Sequence, residues 1–229
     1  MTNEGSNIEQ DSTQASNQES NKPKRSFIQR YGFPIVVLAL CMGLGIYLLT
    51  SQSQASDLKD FGAGEPFSFV DTEGNTVSLE NTNGDVRLLY FFFANCPDVC
   101  PPTTAVLSNV QDELKADGVF GNKVKFLSVT IDPTRDTTEV LKDYADTFDA
   151  DPAGWSFLRG DEEATAELAK KYQVWVGKDA EGNFGHMNLI VLLDKKGHIR
   201  QWISAADYID PDVEKLTARN MADIIKSLT

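Results

Sequence analysis

The chain has 229 residues, 41% of them hydrophobic and 24% charged, and a formal net charge of -13. That is the composition of one globular domain with extensions. Before residue 51, Lys22, Lys24, Arg25 and Arg30 cancel Glu4, Glu9, Asp11 and Glu19, so the acidic excess lies in the rest of the chain; such a domain repels phosphate backbones, which excludes nucleic acid as a partner.

Residues 1–21 are almost wholly polar and predict a disordered tail, since they offer nothing to bury against the chain entropy. A basic flank, KPKR, follows, and the tail with its flank occupies 1–32. Residues 33–50, FPIVVLALCMGLGIYLLT, carry no charge. As a helix they span about 27 Å, close to the hydrocarbon core of a bilayer. The basic flank on the N-terminal side predicts a single-pass anchor in the cell membrane, with the tail in the cytoplasm and the rest outside. Ser53-Gln54-Ala55 offers a signal-peptidase site, but the apolar run and its flank are long for a signal peptide, and an uncleaved anchor is the preferred reading. Cys41 follows Leu40 where a lipoprotein cysteine needs a small residue, so it reads as a membrane-buried thiol.

Residues 51–64 read as a polar linker and 65–229 as the domain. FSFVDTEGNTVSLE predicts a hairpin about Glu73-Gly74-Asn75. VRLLYFFFA, 86–94, is apolar nearly throughout, as in a strand buried on both faces. Val106, Leu107, Val110 and Leu114 mark a helix after the cysteines, with Pro101 and Pro102 in its first turn. KVKFLSVTID predicts a second core strand. A helix capped by Asp136, with Glu139 at capping-box spacing, comes next. WSFLR is a strand, and Asp161 opens another helix. NLIVLLD and HIRQWISA flank a hairpin turn, and a last helix is expected to open at Asp210-Pro211. Alternating strands and helices predict a layered α/β sheet with its site beyond the strand carboxyl ends.

Cys96 and Cys100 stand just past one core strand and Asp132 just past the next. Outside the membrane a disulfide is allowed, but one closing so short a loop stabilises little, which points to reactivity or metal binding. A helix N-terminus is expected to lower a thiol pKa. At i and i+4 two thiolates share a face and suit Cu(I) or Zn. Of the two histidines, His198 reads as a surface or structural residue in a turn. His186 lies in a loop before a core strand and is the candidate third ligand, with Met187 beside it expected to pack. Two enzyme classes lack their working parts here. The spacing is C-x-x-x-C rather than C-x-x-C, with no proline between Pro152 and Pro211, and Leu89 and Phe93 stand where a peroxiredoxin has proline and threonine.

YFFFANCPDVCPPTTAVL and SVTIDPTRDTTEVLKDY, with the late His186, resemble the Sco family of membrane-tethered copper chaperones for cytochrome c oxidase. The resemblance runs from about Pro66 to Thr229. It implies a thioredoxin-like fold with an N-terminal hairpin, copper as the bound metal, and the copper-bearing oxidase subunit as partner. It implies Cys96, Cys100 and His186 as copper ligands, with Asp132 tuning the site from behind, although Asp132 reads equally as a turn former beside Pro133. Arg135 is expected to pair with a carboxylate. Ala94-Asn95 and GHMN depart from the family's commoner residues. The dithiol leaves two functions open: copper delivery to the oxidase's dinuclear site, or reduction of that site's cysteines by a thiol-disulfide reductase.

Overall fold

The computed structural model describes residues 33–34, 36–45, 58–178, 184–209 and 217–229, and the chain divides after Ser53 into two units. In the first unit, residues 33–34 and 36–45 are helical, and Phe33, Leu38, Leu40, Met42 and Leu44 are all exposed. Among the described residues no helix is long and apolar enough to cross a membrane; the described helical part ends at Gly45, short of the run expected as an anchor. The expected tail, 1–32, lies outside the described residues.

The second unit is built around β3 (Val86–Phe92), in which every residue is buried. A strand so apolar needs neighbours on both edges and cover on both faces. It pairs in parallel with β4 (Val124–Thr130) and antiparallel with β8 (Leu189–Leu193). β4 pairs in parallel with β5 (Trp155–Arg159), and the hairpin of β1 (Ser68–Asp71) and β2 (Thr76–Ser78) joins beyond β5. β9 (Ile199–Ser204) closes the other edge against β8. The seven-stranded order is β2-β1-β5-β4-β3-β8-β9.

Among the described residues five helices accompany the sheet: α1 (Cys100–Ala116), α2 (Thr138–Thr147), α3 (Glu162–Lys171), α4 (Ala206–Ile209) and α5 (Ala218–Lys226). Side chains alternate across β3. On one face Phe92 meets Tyr144 of α2 at 5.1 Å and Phe157 of β5 at 5.6 Å between ring centroids. On the other, Phe91 meets Tyr172, just past α3. Each such ring pair adds about 0.5–1.5 kcal/mol beyond the area it buries.

The ladder explains where chemistry can gather. Parallel pairing brings the carboxyl ends of β3 and β4 to one edge of the sheet. β8 runs the opposite way with Ile190 opposite Tyr90, so stepping back from Ile190 to His186 leads toward the edge where β3 delivers Cys96.

Several local features differ from the sequence expectation. The cap of α2 is Thr137, which accepts from the Val140 amide, while Asp136 is buried. α5 is opened by Thr217, in a capping box with Asn220; the expected cap Asp210 lies outside the described residues. Of the expected linker, Phe61 N donates to Ile199 O and Gly64 N to Gly197 O, which covers part of an edge that β9 would leave open; residues 51–57 lie outside the described residues. β6 (Val176–Lys178) and β7 (Phe184–His186) form a separate two-stranded sheet, with Val176 opposite His186, where a loop was expected. Its glycines hid it, since glycine disfavours strands. They are there for space: a Cβ on Gly177 would stand 2.5 Å from the Trp175 ring.

Candidate metal centre

The first turn of α1 decides how the cysteines sit. Its N-cap residue, Val99, supplies no side-chain cap. Of the first-turn amides, Pro101 and Pro102 have no proton to place, and Thr103 N donates to Val99 O at 3.2 Å. The amide left over, Cys100 N, donates to Cys96 Sγ at 3.4 Å. A cysteine sulfur therefore does the work of a helix cap, and the two cysteines are held against each other. Neither is in a disulfide. Cys96 is 8% exposed and Cys100 not at all, so a partner reaches Cys96 first.

The expected fall in thiol pKa is reversed at Cys100. Burial pushes this thiol well above its usual range, and the neighbouring Cys96 adds to the effect. A partial charge at a helix end is weaker than full desolvation of a thiolate. Thr104 Oγ1 donates to Cys100 O at 2.9 Å, which leaves the Tyr144 hydroxyl to donate to Thr104 at 2.9 Å. That chain ties α2 to the turn bearing Cys100.

Asp136, which the sequence places at a helix cap, braces the approach to Cys96. Its carboxylate accepts from Ala94 N at 3.0 Å and from Thr130 Oγ1. It thus links the segment before the cysteine to the end of β4. Asp132 is 2% exposed, is paired with Arg135, and accepts the Arg135 and Asp136 amides through its backbone carbonyl. The turn-forming role and the Arg135 pairing are both present in these contacts.

Asp136 gives a prediction with a definite sign. Burial, before any other cause, raises its pKa above the ordinary 3.8. Its contribution is then fully present below the unfolded value and is lost as pH rises through the folded one. Relative to Asp136→Asn, the wild type should lose stability in the window just above pH 3.8. Urea midpoints taken at successive pH values measure this; parallel profiles for the two proteins would contradict it.

His186 ends β7, in a strand rather than a loop, and its side chain lies outside the described residues. Among the described residues no three His, Cys, Asp or Glu gather as a metal site. Met187 is 45% exposed rather than packed, and its amide donates to Trp175 O at 2.9 Å. Asn188 makes the contact that sequence reasoning missed. Its Nδ2 lies 2.8 Å from Thr103 Oγ1, whose single proton goes to Val99 O, also at 2.8 Å. The amide is therefore the donor. This bond fastens the chain two residues past His186 to the turn that begins at Cys100. His198 is held elsewhere, with Nδ1 2.8 Å from Asp60 Oδ2, as a structural reading expects.

The SCO1/SenC family model matches residues 55–220. The SCO1 protein homolog of Bacillus subtilis (strain 168) is 33% identical over 138 residues, which cover 59% of this chain and 70% of that one. Bradyrhizobium japonicum ScoI, solved with copper bound, aligns with a TM-score of 0.61 at 28% identity over 73% of this chain and 99% of that one. BsSco, a member of the Sco family of cytochrome c oxidase assembly proteins in which a disulfide switch is identified, gives 0.62 at 28% identity over 74% and 95%. The α/β fold matches these thioredoxin-like structures, and the chain belongs to the SCO1/SenC family.

Proposed function

We propose that this protein carries copper to the dinuclear copper site of cytochrome c oxidase during assembly. Cys96 and Cys100 supply two soft sulfurs, and His186 supplies the imidazole that a thiolate pair lacks for Cu(II). Asp132 acts from behind the ligands, through its pairing with Arg135. The observation that carries this reading is the Asn188–Thr103 bond, because it draws the His186 segment and the cysteine turn together. The adjacent, unbridged thiols fit a soft metal, and copper is the metal in the solved Bradyrhizobium relative.

A single helix over 33–50 holds the carrier at the cell membrane, with 1–32 in the cytoplasm and 65–229 outside, facing the copper-bearing oxidase subunit. The charge-free run, its basic flank and the exposed apolar side chains at Phe33, Leu38, Leu40, Met42 and Leu44 support this. A second reading is a membrane-anchored thiol-disulfide reductase that prepares the oxidase's own copper-site cysteines. It is favoured by Cys96, a reduced thiol that keeps a little exposure, 8%, beside a second thiol with none.

Cells carrying His186→Ala at native level separate the two. A carrier loses oxidase assembly in copper-poor medium and regains it when copper is added. Normal assembly in copper-poor medium would sink the carrier reading and promote the reductase.

A further inference from the structure

His186 rides between two fixed points of the chain. On one side Tyr172 and Val174 are fully buried, and Val174 N donates to Ala169 O at 2.9 Å. On the other, Asn188 is fastened to Thr103. Between them lie β6 and β7, which form a sheet of their own apart from the seven-stranded one. A two-stranded ribbon is marginal in water. This one also carries a glycine pair, Gly177 opposite Gly185, directly beside the Val176–His186 pair. Glycine weakens a strand, because it loses more chain entropy and packs nothing.

Trp175 supplies what the glycines lack. Its carbonyl accepts the Met187 amide, which extends the β6–β7 register by one pair. Residues two apart share a face of a strand, so Trp175 and Gly177 share one. A Cβ on Gly177 would stand 2.5 Å from Cζ2 of the indole, and one on Gly185 would stand 3.3 Å from Cζ3. One ring therefore covers both members of the cross-strand pair, in the space their side chains would take. Gly177 is not at a positive φ, so its backbone would accept alanine; the indole is what demands glycine there. The ring itself is 61% exposed, so its contribution to the core is small.

We propose that Trp175 is a positioning residue for His186: its ring clamps the glycine pair and holds the register in which His186 stands opposite Val176. Aromatic cover of strand glycines restores the packing that glycine forfeits. Holding the register beforehand spares the ordering that binding would otherwise require. The inference rests on the proposed copper reading in taking His186 as a ligand.

The test is a double-substitution cycle in the full-length protein in detergent, with Trp175→Ala, Gly177→Ala and the two together. Amide exchange of residues 184–188 is followed by mass spectrometry without metal, alongside the thermal midpoint and Cu(II) affinity. Trp175→Ala should speed the exchange about fivefold. It should leave the midpoint in place, since β6 and β7 lie outside the seven-stranded sheet. Gly177→Ala should act in the same way, because its methyl displaces the ring. In the Trp175→Ala background Gly177→Ala should instead slow the exchange, since alanine is easier to order than glycine. Trp175→Phe, which keeps a ring over the pair, should recover most of the protection. Unchanged exchange in Trp175→Ala would overturn the proposal, and so would a Gly177→Ala effect of the same sign in both backgrounds. Cu(II) affinity of Trp175→Ala should fall several-fold, as fewer chains hold the register. His186→Ala separates the two readings. If it keeps its Cu(II) affinity, the carrier reading falls and the clamp is decided by the exchange cycle alone. If it loses copper while Trp175→Ala exchanges faster yet binds as wild type, the positioning role falls and the carrier reading stands.

Discussion

Oxidation of Cys96 and Cys100 to a disulfide is expected to weaken copper binding at least about a thousandfold, roughly 4 kcal/mol. Metal ligation needs thiolates, and a disulfide offers none. The Cys96 sulfur already lies 3.4 Å from the Cys100 amide, so the two sulfurs can meet with a local adjustment of the first turn. The bridge closes only a few residues and adds little stability of its own, so it can form and break without remaking the domain. Chelator competition on the two forms, each with its thiols counted, checks the expectation, and reduction should restore the affinity. Equal affinity in both forms would remove the cysteines as ligands.

The parts of this account that were legible in the sequence are those where one physical requirement dominates. Seven consecutive buried residues in β3 leave no other place for that run than mid-sheet. The prolines after Cys100 mark a helix start because they cost nothing there. The hairpin of β8 and β9 turns at Gly197, whose φ of 82° suits glycine.

What stayed hidden depends on partners distant in the chain. Asp136 has the spacing of a cap, but Thr137 beside it is equally able to cap, and only the fold shows that the carboxylate is needed at Ala94, 42 residues away. Asn188 and Thr103 are 85 residues apart and ordinary in sequence. The rise at Cys100 could not be read from a helix start, because helix position is local while burial is set by the whole packed layer. β6 and β7 have three residues each, too few for any periodicity.

The central claim is that copper sits between the cysteine pair and His186, and the chain makes a clean comparison possible because it has only two histidines. His198 is bonded to Asp60 and serves the β9 edge, so it provides a matched control for losing one imidazole. The direct measurement is Cu(II) titration of full-length wild type, His186→Ala and His198→Ala in the dithiol form, following the sulfur-to-copper absorption band. His186→Ala should weaken Cu(II) binding by about a hundredfold or more, because losing a ligand costs at least as much as losing the groups that support one, and it should lose the band. It should keep two reducible thiols, and Cu(I) binding should fall less. His198→Ala should titrate as wild type. A His186→Ala protein that keeps both its Cu(II) affinity and its band would contradict the account.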